Sequence, residues 1–144
     1  MTETGAEGAA RVAWAVMSDL VLDNERRQEL SEAVGLPFSR VRALRRISVS
    51  PMTLGELAAA LGIDPPNCTA VVDDLEERGL VERRAHPTDR RSKLVVITAP
   101  GARLGKRAER LWERPPAALQ DLTPADLAAL ADVLSRVRLP RTRK

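Results

Sequence analysis

Residues 53–98 carry a succession of helix start and stop residues that leaves this stretch few ways to fold. Thr53 and Glu56 have T-x-x-E spacing, in which each side chain satisfies the other residue's free backbone N–H at a helix start. That helix is short, because Gly62 ends it. Asp64 caps the next one, with Pro65 at the first position, where a missing N–H costs nothing. Val71, Val72 and Leu75 form its inner face, and Gly79 stops it in the left-handed conformation. Two apolar-rich segments follow, LVERR and KLVVIT, separated by AHPTDRRS, a pattern that predicts a β-hairpin with a long basic tip. Helices 53–61 and 65–78 about Gly62 have helix-turn-helix spacing, in which a short scaffold helix props a second one into the major groove. Any helix pair with a tight loop shares that spacing. The basic hairpin directly after it makes the combination a winged helix-turn-helix, and contact with duplex DNA is what uses all three parts together.

The hairpin is the most strongly charged local segment. Arg83, Arg84, Arg90, Arg91 and Lys93 crowd it, and Asp89 is the only acid among residues 83–93. A merely solvated loop would mix signs to limit repulsion. Arginine at a hairpin tip can enter a narrow minor groove, where the negative potential is strongest. Asp89 is expected to hold Arg91 in position through a charge-assisted pair.

On the amino-terminal side, one long helix is expected over about residues 7–33. Val12, Val16 and Leu20 lie on one face, and Trp14, Met17 and Val21 widen it, so the band is too broad for burial against one surface. Gly35 ends that helix. Pro37 opens another, with Phe38, Val41, Leu44 and Ile47 at helical spacing and Arg40, Arg42, Arg45 and Arg46 between them. Beyond the hairpin, Thr98 and Pro100 start a helix to about Arg114, and Pro115-Pro116 breaks the pattern. Thr123 and Pro124 begin a last helix with Leu127, Leu130, Leu134 and Val137 on one face, and the tail RLPRTRK should fray. The expected fold class is mainly α with a small β-hairpin. The expected organisation is a single domain over 1–144, with a winged-helix lobe at about 37–98 and dimerisation helices at about 7–33 and 99–138. Dimerisation is expected because the first and last helices present more apolar surface than one small lobe can cover.

Composition bounds the function. The aromatic residues are Trp14, Phe38 and Trp112, so the core must rest on Leu, Val and Ala, which favours helices. The net charge of +3 only weakly favours a polyanionic partner, and 20 of the 23 basic residues are Arg, a bias that GC-rich codon usage also produces. One cysteine, Cys68, excludes an internal disulfide and fits a reducing cytosol. Glu3 and Glu7 stand where a signal peptide would be basic, and no apolar run approaches membrane-span length, so a cytoplasmic, nucleoid-associated protein with no membrane partner is expected. His86 is the only histidine, which leaves no metal site and no Ser/His/Asp or Cys/His set. GARLGKR lacks the spacing and the hydroxyl of a phosphate loop. Neither a cofactor nor an enzymatic activity is implied. Cys68 sits near a helix start, where the dipole lowers a thiol pKa, and it equally suits a small buried gap between two helices.

The stretch HPTDRRSKLVVITAPG resembles the wing of the MarR family of bacterial transcription regulators: Asp-x-Arg, an apolar strand, then Thr-x-x-Gly leading into a helix. LEERGLVERR is similar to that family's link from recognition helix to wing, and GLPFSRVRALRRI looks like its second helix. The resemblance spans nearly the whole chain. It implies a homodimer with interleaved terminal helices, bound to a palindromic double-stranded DNA operator and often released by a small phenolic ligand or an oxidant. The oxidant-sensing branch carries its cysteine in the first helix, which has none here. By position, the resemblance places Pro66, Asn67, Thr69, Ala70 and Asp73 at the major groove, with Asn67 suited to adenine and Thr69 to a phosphate or a thymine methyl; Thr53 and the wing residues Arg84, Asp89, Arg90, Arg91 and Lys93 complete the expected DNA contacts. Trp14, Met17, Phe38 and Trp112 lie on the helices that wall the family's ligand cleft, and a small aromatic ligand would need at least one of them. The chain departs from the family at Ala70 and Asp74, near which a basic residue is common. Asp73, Asp74, Glu76 and Glu77 make the recognition helix acidic, which shifts the expected affinity to the wing and to Arg40–Arg46. The same acids leave an alternative open, a winged-helix module that docks a protein on its acidic helix.

Overall fold

The structure, a computed structural model, describes residues 3–138. The chain divides into two compact units, Met1–Glu113 and Arg114–Lys144. The expectation for the tail, from Leu139 onward, lies outside the described residues.

The first unit opens with two helices where one was expected, α1 (Glu3–Val21) and α2 (Asn24–Val34). Asp23 divides them. Its carboxylate accepts from the backbone N–H of Glu25 at 3.0 Å and of Arg26 at 3.5 Å, so it caps a new helix instead of continuing the old one. Gly35 ends α2 at φ 74°, in the left-handed conformation that its position requires.

The core gathers around α3 (Phe38–Val49), whose Val41, Ala43, Leu44 and Ile47 are all buried at helical spacing. Leu57, Leu61, Cys68, Val72, Leu75, Val81 and Val95 close around them from the elements that follow. Strand β1 (Met52–Thr53) leads directly into α4 (Leu54–Leu61), and α5 (Pro65–Glu77) follows after Gly62. Strands β2 (Val81–Ala85) and β3 (Lys93–Ile97) form the hairpin, paired Val81 to Ile97 through Ala85 to Lys93. β1 adds antiparallel to the other edge of β3, with Met52 opposite Val95, giving the order β1-β3-β2. This third strand was not expected, and at two residues it is too short to show any periodicity.

The hairpin is fastened to α6 (Ala99–Trp112) at its base. Thr98 donates its backbone N–H to Leu80 O at 3.1 Å and its hydroxyl to Gly79 O at 2.7 Å, and its oxygen caps Gly101 N–H at 3.2 Å. Gly101 lies so close to Leu80 that an added Cβ would stand 1.9 Å from the Leu80 carbonyl oxygen. The wing therefore leaves the body at a tightly determined point.

The second unit holds α7 (Ala117–Gln120) and α8 (Pro124–Ser135). Thr123 caps α8, accepting from Asp126 N–H at 3.2 Å. Leu127, Val133, Leu134 and Val137 are exposed there, as are Val12, Trp14, Val16 and Val21 on α1 in the first unit.

Candidate nucleic-acid interface

Helix α4 starts at its capping box and buries Leu57, Ala58 and Leu61. Thr53 Oγ1 accepts from Glu56 N–H at 3.2 Å, and Glu56 Oε2 accepts from Thr53 N–H at 3.2 Å. The box spends two polar groups and leaves the N–H groups of Leu54 and Gly55 at the positive end of the helix. A cleft of about 480 Å³ opens there, lined by Thr53, Leu54, Gly55, Arg83, Arg91, Ser92 and Lys93. It joins the amino end of the scaffold helix to the wing, which is chemistry suited to a phosphate. Sequence reasoning missed Leu54 and Gly55. The capping box was the available signal, since it marks where free N–H groups lie.

Helix α5 begins at Asp64, whose Oδ2 accepts from Asn67 N–H at 3.4 Å. Cys68, Val71, Val72 and Leu75 turn inward and are buried. Pro66, Asn67, Thr69, Ala70 and Asp73 are exposed together on the opposite side. Of the two alternatives for Cys68, the structure has the buried one. Its side chain is fully covered, Sγ lies 3.6 Å from Leu54 O, and burial raises the thiol pKa above its ordinary value.

Three of the four acids of α5 are matched by arginines, one of them, Arg78, at i, i+4 spacing and two, Arg40 and Arg83, from other elements. Asp74 is bonded by Arg78 Nε and Arg40 Nε, both at 2.9 Å, and these two guanidinium groups hold its carboxyl below the usual carboxylate range. Arg83, on β2, bonds Asp73 at 2.5 Å and Glu76 at 2.9 Å, and it also donates its backbone N–H to Glu76 at 3.0 Å. Partial burial pulls the Arg83 pKa down, but the bonds to the two carboxylates outweigh it and the net shift is upward. Arg83 thus ties wing to recognition helix. The expectation that Arg40–Arg46 supply free positive charge is corrected in part. Arg40 is spent on Asp74, and Arg45 is held by Glu109 at 2.6 and 3.2 Å, a bond that lowers the Glu109 pKa.

At the wing tip, Asp89 does order Arg91, but through the backbone. Its Oδ1 accepts the Arg91 N–H at 2.9 Å and its Oδ2 the Ser92 hydroxyl at 3.1 Å, and these bonds hold its carboxyl low. His86 Nδ1 accepts from the N–H groups of Thr88 at 3.2 Å and Asp89 at 3.0 Å, a turn-forming role that sequence reasoning did not assign. Arg84 pairs with its strand neighbour Glu82. Among the described residues Arg90, Arg91 and Lys93 form no ion pair, and of the three cations that line the cleft Arg83 is paired while Arg91 and Lys93 are not.

Of the four residues expected to wall a ligand cleft, Phe38 and Trp112 come together, with ring centroids 5.9 Å apart. Arg26 and Arg45 stand over the Trp112 ring at 5.5 and 5.2 Å, and Arg27 over Phe38 at 5.1 Å. Trp14 is 68% exposed on α1, and Met17 is half-buried there. Among the described residues no helix is long and apolar enough to cross a membrane, and no cluster of His, Cys, Asp and Glu is placed to hold a metal ion.

A scaffold helix, an exposed helix beyond a tight turn and a cationic hairpin wing define a winged helix-turn-helix protein. The MarR family model matches residues 34–92. The HTH-type transcriptional repressor Rv2887 of Mycobacterium tuberculosis is 33% identical over 122 residues, covering 82% of this chain and 78% of that protein. The chain belongs to the MarR family of transcription regulators. Its fold is that of wild-type apo MarR from E. coli, with a TM-score of 0.72, 26% identity and coverage of 91% of this chain and 96% of that one. The transcriptional repressor CouR, solved bound to a 23-mer DNA duplex, matches at a TM-score of 0.66 with 29% identity, over 94% of this chain and 96% of that one. Other mycobacterial HTH-type regulators are 42% identical over 59 residues, and there the match takes in 41% of each chain.

Proposed function

We propose that this chain is a homodimeric repressor that binds a palindromic DNA operator and is released by a small aromatic ligand. The observation that carries the reading is the cleft at the amino end of α4, where free backbone N–H groups meet Arg91 and Lys93 beside the exposed face of α5. A phosphate seated there fixes the register of the recognition helix on the duplex. The exposed apolar residues of α1 and of α8 supply the surface for a second copy. Two copies related by a two-fold axis meet half-sites roughly 10 base pairs apart. A ligand at the Phe38–Trp112 pair, ringed by Arg26, Arg27 and Arg45, shifts the spacing of the two recognition helices and weakens both half-sites at once. The protein-docking alternative needs free carboxylates, and three of the four acids on α5 are already bound to arginine.

The test is a gel-shift titration against the chain's own upstream intergenic DNA, with an unrelated duplex as competitor, at about 50 and 200 mM salt. Binding that survives the competitor and falls steeply with salt supports the regulator. Absence of binding at both salts overturns it and favours the protein-docking module.

A further inference from the structure

We propose that α5 reads its half-site through the 5-methyl groups of thymine, with Pro66, Thr69 and Ala70 as the reading surface, and not through hydrogen bonds to guanine. The inference rests on the DNA-binding reading and goes beyond it to the sequence preference. Helix α5 has no Arg, Lys or Gln anywhere in Pro65–Glu77, and guanine presents two acceptors, O6 and N7, that call for such donors. The hydroxyl of Thr69 and one of the two amide N–H groups of Asn67 are engaged at the helix start. Thr69 gives its hydroxyl to Pro65 O at 3.1 Å, and Asn67 gives that amide N–H to the Asp64 carboxylate. Asp73 is an acceptor only, already bound to Arg83, and Asp74 faces Arg40 and Arg78.

Apart from the second N–H and the oxygen of Asn67, which suit adenine and not guanine O6 and N7 together, what remains is hydrocarbon. Thr69 and Ala70 lie one helical turn after Pro66, all three exposed. In the major groove the one hydrocarbon group that a base edge offers is the thymine C5-methyl. A small side-chain surface also lets the helix backbone approach the groove floor closely, which a long arginine would prevent. Affinity then comes from the wing and selectivity from methyl contacts.

The experiment selects binding sites from a randomised duplex pool with the full chain, then resynthesises the selected duplex with deoxyuridine for thymine in the half-sites. That change removes the methyl and nothing else. Selected half-sites should carry thymine where α5 lies, and each methyl removed from contact should weaken binding about fourfold. Thr69→Ser keeps the hydroxyl and deletes the protein's methyl. It should bind the thymine duplex more weakly and lose the uridine penalty at the thymine that Thr69 contacts, keeping it at the others. A selected site whose affinity ignores uridine overturns the inference while leaving the DNA-binding reading intact, as does a guanine preference that 7-deazaguanine abolishes. Failure to retain any duplex from the pool overturns the DNA-binding reading, and the inference with it.

Discussion

Two glycines on α6 allow the attachment of the wing to be tested with one substitution made twice. An alanine Cβ at Gly101 would stand 1.9 Å from the Leu80 carbonyl oxygen and 2.9 Å from Ile97 Cδ1, whereas at Gly105 the near atom is Ser48 Oγ, at 2.5 Å. The first obstacle is backbone, and that carbonyl already accepts the Thr98 N–H at 3.1 Å. To clear the Cβ, α6 and the base of β2 must part by roughly 1 Å, an overpacking strain that typically costs about 1–3 kcal/mol and here falls at the upper end. The second obstacle is a hydroxyl that can rotate, giving up its 2.7 Å bond to Leu44 O. That loss of about 1 kcal/mol is offset by the similar gain of alanine over glycine inside a helix. Gly101→Ala should therefore lower stability by about 2 kcal/mol or more, roughly 5 °C or more in melting temperature. Gly105→Ala should stay within about 1 kcal/mol of the parent. Urea unfolding followed by circular dichroism measures both. Equal costs at the two positions would refute the argument that the wing is anchored by backbone contact at Leu80.

Other expectations follow from the same geometry. Arg91→Ala should weaken binding to all duplexes similarly and reduce the slope of log affinity against log salt by about one; unchanged affinity, with Asn67→Ala abolishing binding, would count against a wing-centred site. Cys68 should resist thiol reagents at neutral pH until the chain is unfolded, because it is buried with a raised pKa; rapid labelling of the native protein would contradict this. The Asp89 carboxyl pKa is depressed by the Arg91 N–H and the Ser92 hydroxyl, so the order it gives the wing tip is complete above the unfolded carboxylate pKa of about 4 and lost as pH falls through the lower folded value. The Arg91 amide resonance should report that transition in an acid titration by NMR, and a midpoint above the ordinary carboxylate range would refute the assignment.

The parts of this fold that were legible in the sequence are those decided locally. Thr53 with Glu56, Asp64 before Pro65, Thr98 and Thr123 each announce a helix through a contact of two or three residues, and each caps one in the structure. The break at Asp23 is equally local, yet it was hidden because the apolar band of α1 and the polar residues of α2 read as one amphipathic helix. Strand β1 has no signature of its own and exists because β3 offers it an edge. The pairing of Arg40 with Asp74 and of Phe38 with Trp112 joins positions far apart in the chain, and only the packing of α3 against α5 and α6 brings them together. Asp89 was assigned the right neighbour and the wrong atom, since a carboxylate two residues before an N–H closes a local turn before it reaches a guanidinium.

The acidic recognition helix is the point at which sequence and function conflict most, and the ion pairs resolve the conflict in a way that separates affinity from selectivity. Asp73, Asp74 and Glu76 are matched by Arg40, Arg78 and Arg83, so the helix approaches phosphates with its repulsion largely cancelled. Cancellation gives no attraction, and on the proposed reading the unpaired wing residues Arg90, Arg91 and Lys93 supply it. Contacts of that kind are electrostatic and fall with salt, whereas the proposed methyl contacts on α5 would not. Raising salt should accordingly weaken binding to the selected operator and to random duplex by the same factor, with their affinity ratio held nearly constant. A ratio that collapses as salt rises would mean that charged groups read the bases, and it would return the acids of α5 to the centre of recognition.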